Sequence, residues 1–233
     1  MRRRSLFVVS VLAMVLALAG AASAAPGPTA PALTTPTRSH AAVTTATDAC
    51  GYTAVKPKDK FRGIPTFNAA AAARPYVARL FTSQGVITFQ ALTTKAPCTT
   101  YSFRFLAQRA YYDLTHCHRL TTQRLYVLQC GDPTGTGSGG PGYQFADENL
   151  TGATYEAGTV AMANAGPGTN GSQFFFTWKD TTLRPNYTPF GKVIGGMDVL
   201  KKIAAAGEDD QNGDGDGYPT AFTQILHVQV SGG

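Results

Sequence analysis

The chain has 233 residues, 43% hydrophobic and 15% charged, which suits one domain with a sizeable core plus extras. Its formal charge of +6 includes Arg2, Arg3 and Arg4; without them 17 basic residues face 14 acidic ones. No basic run or basic-aromatic stripe then remains, so the composition argues against a nucleic-acid binder.

Residues 1–24 read as a secretory signal: three arginines, the apolar run "LFVVSVLAMVLALAG", and a small-residue cleavage site at Ala22-Ser23-Ala24. An uncleaved membrane anchor is the alternative, because the run is only slightly short of a spanning helix. Residues 25–47 are mostly Ala, Pro and Thr. They cannot bury enough surface to offset their ordering entropy, so a disordered linker is expected. Residues 48–76 form an N-terminal extension without a decisive pattern, and a compact domain is expected over 77–231. In an exported chain Cys50, Cys98, Cys117 and Cys130 point to disulfides; four cysteines allow three pairings, and spacing does not choose among them.

Two β-rich runs in "VARLFTSQGVITFQAL" flank Ser83-Gln84-Gly85, a hairpin signal with glycine at the turn. "TTYSFRFLAQRA" (99–110) predicts a helix capped by Thr99 or Thr100, with Phe103, Leu106, Ala107 and Ala110 as its apolar stripe. "HCHRL" and "RLYVLQC" predict strands around a loop, and "GDPTGTGSGGPG" can only be loop. "GTVAMAN", "SQFFFTW" and "TPFGKVI" predict three more strands. "GMDVLKKIAAAG" predicts a helix with Met197, Leu200, Ile203 and Ala204 on one side, stopped by Gly207. "TQILHVQV" closes the chain as an alternating strand. The pattern predicts a mainly β fold, an antiparallel barrel or sandwich with helices at its ends.

Several motifs carry little. Gly135, Gly137 and Gly140 match a dinucleotide fingerprint, but Pro141-Gly142 follows where a helix must start. Asp210, Asn212, Asp214 and Gly215 match the front of a calcium loop, but Ala221 stands where the bidentate glutamate belongs. A polar turn is the plainer reading, with calcium response as an alternative. Asn149, Asn170 and Asn186 begin glycosylation sequons, which mean little in a chain that reads as a bacterial export product. A lone histidine such as His118 is more often structural than catalytic. No metal or other cofactor is implied, and no coiled coil or repeat marks an oligomer, so a monomer is expected.

"HCHRL", "YVLQCGDPTGTGSGGPGY", "MANAGPGTNGSQFFFT" and "PFGKVIGGMDVL" occur in that order and at close spacing. Together, over roughly Val77 to Val230, they resemble the cyclophilin family of peptidyl-prolyl cis-trans isomerases, in particular its exported bacterial members. The resemblance implies an eight-stranded antiparallel β-barrel capped by two α-helices. It also implies isomerisation of X-Pro bonds in exported or extracytoplasmic proteins, in aid of folding and without a covalent step. A non-catalytic module that binds proline peptides or unfolded chains on the same fold is the alternative.

The resemblance places the catalytic groups at Arg119, Gln129 and Asn164. It assigns Tyr126, Val127, Phe175 and Leu183 to the proline pocket, and Ala163, Ala165 and Gln173 to the wall that holds the residues before proline. Tyr187 replaces the pocket histidine, and Thr182 stands where a tryptophan usually precedes the pocket leucine. Cyclosporin-type inhibitors are therefore expected to bind more weakly. The stretch "LTTQRLYVL" between Arg119 and Gln129 is longer than the family's common pattern. Cys117 and Cys130 replace an aromatic residue and a glycine on the strands flanking that loop. A Cys117–Cys130 disulfide is expected there, leaving Cys50–Cys98 to pin the extension. Strand alternation lets Phe175 face the pocket while Phe174 and Phe176 turn away.

Overall fold

The computed structural model describes residues 49–232; the signal-like segment and the Ala/Pro/Thr linker lie outside the described residues. The chain runs through β1 (Thr53–Lys58), α1 (Ala69–Ala72), β2 (Val77–Thr82), β3 (Gly85–Ala91), α2 (Pro97–Ala107), β4 (Thr115–His116), β5 (Arg119–Thr121) and β6 (Val127–Cys130). It continues through β7 (Pro141–Gln144), β8 (Thr159–Met162), β9 (Phe174–Thr177), β10 (Pro189–Gly195), α3 (Met197–Ala205), β11 (Asp216–Gly217) and β12 (Gln224–Ser231).

The main sheet is antiparallel, in the order β11-β5-β6-β9-β8-β10-β3-β2-β12-β4. Apart from the two-residue β11, its two ends belong to one stretch of chain. β4 pairs with β12, β5 pairs with β6, and only Cys117 and His118 lie between them. Those two residues continue the bonding on both sides, Cys117 N–H to the Thr223 carbonyl and His118 N–H to the Gln129 carbonyl. Residues 115–121 thus act as one strand that changes partner and curls the sheet round on itself. Counted so, eight strands make the barrel, with β11 as a short flap on β5. Closure of this kind removes exposed edges.

The β2–β3 hairpin turns at Ser83-Gln84, and Gly85 has φ +139°. On its strands Ala78, Leu80, Ile87, Phe89 and Ala91 alternate into the core. The adjacent strands β6, β9 and β8 differ, since both their faces are apolar. Leu128, Cys130, Phe174, Phe176, Val160 and Met162 enter the barrel core. Val127, Phe175 and Ala161 point the other way and form a second cluster with Tyr155. A period of two thus splits "FFF" between two sites.

Helix α2 begins earlier than its sequence pattern suggests, at Pro97, and no side chain of its own caps it. Instead Glu148, far along the chain, accepts hydrogen bonds from Cys98 N–H (3.0 Å), Thr99 N–H (2.8 Å) and the Thr99 hydroxyl (2.7 Å). A carboxylate there meets the positive end of the helix dipole. The helix ends before Ala110, which is exposed at φ +53° and is not part of the buried stripe. Helix α3 buries Leu200, Ile203 and Ala204, and Gly207 stops it at φ +81°. The one-turn α1 is additional to the two helices expected.

The extension crosses the domain surface. β1 pairs with β7, the Tyr52 hydroxyl bonds the Cys98 carbonyl at 2.6 Å, and Cys50 is disulfide-bonded to Cys98. The second disulfide joins Cys117 to Cys130, across the strands that carry Arg119 and Gln129.

The two bonds close loops of different length, with separations of 48 and 13 residues. Chain entropy then makes replacing Cys50 and Cys98 by serine cost about 4 kcal/mol, against about 3 kcal/mol for Cys117 and Cys130. Urea unfolding of the two double variants checks the order; a larger loss for the shorter loop would contradict it.

Candidate active site

The second apolar cluster is the floor of a pocket of about 150 Å³. Its walls are Arg119, Leu125, Val127, Gln129, Ala163, Asn164, Phe175, Leu183 and Tyr187. Neighbouring strands bring these distant residues together: Gln129 lies opposite Phe175 on β9, and Ala161 opposite Phe175 on β8. Tyr155 and Tyr187 pack edge-on or tilted against Phe175, with ring centroids 6.3 and 5.7 Å away. The Tyr155 hydroxyl also ties down the Tyr187 backbone, donating to its carbonyl at 2.8 Å and accepting from its N–H at 3.1 Å. A space of this volume holds one small ring.

Eight of the expected site residues therefore meet around one pocket, but Tyr126 does not. Its ring packs on Trp178, 5.1 Å between centroids, under the Lys179 ammonium. Leu125 takes the pocket position instead, because Leu125, Val127 and Gln129 share one face at a spacing of two. Trp178 lies behind the loop rather than in the pocket, donating its indole N–H to the Thr121 carbonyl at 3.1 Å.

Arg119 stands opposite Gln129 in the β5–β6 register, yet no hydrogen bond joins their side chains among the described residues. The Arg119 guanidinium is gripped by Asp216, with Nε donating to Oδ1 at 2.8 Å and Nη2 to Oδ2 at 2.6 Å. That hydrogen-bonded pair holds the Asp216 carboxyl below its usual range and raises the arginine further. Asp216 also accepts from Asn212 Nδ2 at 3.2 Å. It is a site residue that sequence reasoning missed, one position beyond the calcium-like motif.

The rest of that motif serves the same end. Thr122 N–H bonds the Gly215 carbonyl, the Thr122 hydroxyl bonds Glu208, and Gln123 bonds Asp214. Asp210 caps Gly215 N–H. The long loop after Arg119 and the acidic loop before β12 are thus docked on each other. Among the described residues no group of three metal-ligating side chains is suitably placed.

A longer groove adjoins the pocket through Gln129, Ala163 and Asn164, and there Ala165 and Gln173 find their place. Gln129 donates to Gln173 Oε1 at 2.9 Å, and Gln173 donates to the carbonyls of Gly137 (2.9 Å) and Gly139 (3.0 Å). The Asn164 side chain bonds the Asn186 carbonyl at 2.8 Å, and Asn170 bonds Asp147 at 2.9 Å, so these amides hold the loop in shape. The glycine loop is organised from within. Its centre is the fully buried Asp132, which accepts from Thr134, Gly137 and Gly139 N–H. Burial opposes that charge, but the hydrogen bonds outweigh it and keep the Asp132 pKa low. A Cβ at Gly139 would lie 2.0 Å from Asp132 Oδ1, so only glycine fits. His118, the neighbour of Arg119 in sequence, is buried, and burial pushes its pKa down; Arg119 is the charged residue lining the pocket.

Residues 77–230 match the family model described as "Cyclophilin type peptidyl-prolyl cis-trans isomerase/CLD". A probable peptidyl-prolyl cis-trans isomerase B of Mycobacterium tuberculosis is 46% identical over 163 residues, 64% of this chain and 52% of the relative. A peptidyl-prolyl cis-trans isomerase-like 1 of Mus musculus is 42% identical over 162 residues, 66% of this chain and 91% of the relative. The chain spans about half the length of the mycobacterial relatives it matches. A crystal structure of a Cryptosporidium parvum cyclophilin type peptidyl-prolyl cis-trans isomerase, in the presence of the dipeptide Ala-Pro, aligns with TM-score 0.58 at 30% identity. It covers 66% of this chain and 98% of that one.

Because the folded-state pKa of Asp216 is depressed, its contribution to stability is present above the ordinary carboxylate value of ~3.9 and fades as pH falls through the lower folded value. The Asp216→Asn variant is therefore expected to be less stable than wild type at neutral pH, with a gap that shrinks in acid. Urea unfolding across that range reads the gap; a difference independent of pH would contradict it.

Proposed function

The chain belongs to the cyclophilin-type peptidyl-prolyl cis-trans isomerase family, and we propose that it isomerises X-Pro peptide bonds in the pocket beside Arg119. One observation carries this reading: a fixed guanidinium at the edge of an apolar pocket sized for one small ring. The resonance barrier to be crossed is ~18–20 kcal/mol, and no bond to carbon is made or broken. As the amide twists, the prolyl nitrogen regains a lone pair. A positive donor placed there stabilises the twisted state more than the planar one, which is the condition for catalysis.

Each group then has a role. The prolyl ring enters between Val127, Phe175, Leu183 and Leu125, where water is excluded. Arg119 spends Nε–H and one Nη2 proton on Asp216, and its remaining N–H groups face the prolyl nitrogen. Arginine stays charged throughout and its fork is planar, so fixing two donors fixes the others. Gln129 and the backbone of Asn164 hold the carbonyl and amide groups flanking the bond, and Ala163, Ala165 and Gln173 line the path of the preceding residues. Tyr187 closes the pocket as an aromatic wall.

We place the activity outside the cytoplasmic membrane, on unfolded or newly exported chains whose X-Pro bonds otherwise limit folding. The signal-like N-terminus and the two disulfides support that location.

Exchange NMR on a short Ala-Pro peptide tests the reading. The oxidised protein is expected to accelerate cis-trans exchange, and Arg119→Ala to lower the rate by about 10²–10³-fold, as loss of one transition-state donor does elsewhere. Binding shifts without faster exchange would leave a peptide-binding module instead. With no indole in the pocket, cyclosporin is expected to inhibit weakly; inhibition at low nanomolar concentration would contradict the pocket described.

A further inference from the structure

The groove beside the pocket has a wall that the family match does not contain. Its volume is about 440 Å³, and its lining runs from Gln129, Ala163 and Asn164 through Gln173 and the glycine loop to Val55 and Lys56 of β1. Both β1 residues precede the matched segment, 77–230. They lie where the β1–β7 pairing breaks register, between Ala54 opposite Tyr143 and Lys58 opposite Pro141. Bulges of this kind redirect side chains and often border sites.

The strand is held on both sides of this irregularity. Upstream, Cys50 is bonded to Cys98 and Tyr52 packs edge-on against Tyr143 and Phe145. Downstream, Asp59 N–H donates to the Gly140 carbonyl at 3.0 Å and the Asp59 carboxylate accepts from Gly140 N–H at 3.3 Å. The disulfide and these bonds keep Val55 and Lys56 beside the groove. Val55 offers an apolar surface. Lys56 is exposed, and it alone is charged among the described lining residues.

We propose that the N-terminal extension is part of the substrate site, with Val55 and Lys56 contacting the segment that precedes the X-Pro bond. This rests on the isomerase reading. A chain with proline in the pocket passes Ala163 and Asn164, which line both cavities, and continues along the groove. An extended segment advances ~3.3–3.6 Å per residue, so a dipeptide stays in the pocket while several further residues carry a chain along the groove. The substrate class is therefore extended polypeptide with several residues ahead of proline, as an unfolded chain presents.

The test compares an acetylated Ala-Pro amide with a peptide carrying five more residues before the same Ala-Pro. Exchange NMR and titration are run on the oxidised wild type and on Lys56→Glu and Val55→Ser, both at the surface of the extension. Wild type is expected to favour the long peptide several-fold, through KM. The variants are expected to reduce that advantage by two- to five-fold while leaving the short peptide unchanged. A Cys50→Ser/Cys98→Ser variant that remains folded is expected to do the same. Equal effects on both peptides, or none on the long one, would overturn the proposal. If neither peptide is turned over, the isomerase reading fails by itself. Chemical-shift changes at Val55 and Lys56 confined to the long peptide would still support the wall, and their absence would refute it.

Discussion

The site depends on the ion pair between Arg119 and Asp216. An arginine on a strand edge with its side chain 36% exposed has many rotamers, and a loose guanidinium would stabilise a twisted amide poorly. Two hydrogen bonds to one carboxylate remove most of that freedom. Elsewhere on a surface such a pair adds little to stability. Here its value is orientation, because the guanidinium that grips Asp216 belongs to a residue lining the pocket.

Two loops make that pair possible. The stretch after Arg119 is long, and the stretch before β12 is acidic. They meet through Thr122, Gln123, Glu208, Asp214 and Gly215, so the acidic loop buttresses the long one and delivers Asp216. The Cys117–Cys130 disulfide fixes the strands beneath, on the face opposite the pocket. The strand that carries Arg119 is thus braced from the core by a covalent bond and from solvent by a polar loop.

What could be read from sequence follows the range of the interactions. The β2–β3 hairpin, the division of Phe174, Phe175 and Phe176, and the stop at Gly207 were legible because alternation and turn chemistry are local. The pocket set and the disulfide pairing became legible through ordered motifs, each anchored to a short stretch. Three features were not legible. Asp216 meets Arg119 across 97 positions, Glu148 caps α2 across 49 or 50, and Val55 reaches the groove only because β1 joins β7. Nothing near these residues marks their partners. Leu125 replaced Tyr126 for a smaller reason: alignment through a lengthened loop sets position in the chain, whereas the pleat sets which face a residue occupies.

The most direct test is a crystal structure of the oxidised protein with a peptide containing one X-Pro bond. The prolyl ring is expected among Val127, Phe175 and Leu183, with an Arg119 N–H directed at the prolyl nitrogen while both hydrogen bonds to Asp216 persist. An Arg119 that leaves Asp216 to reach the peptide, or a proline bound away from this pocket, would contradict the central claim.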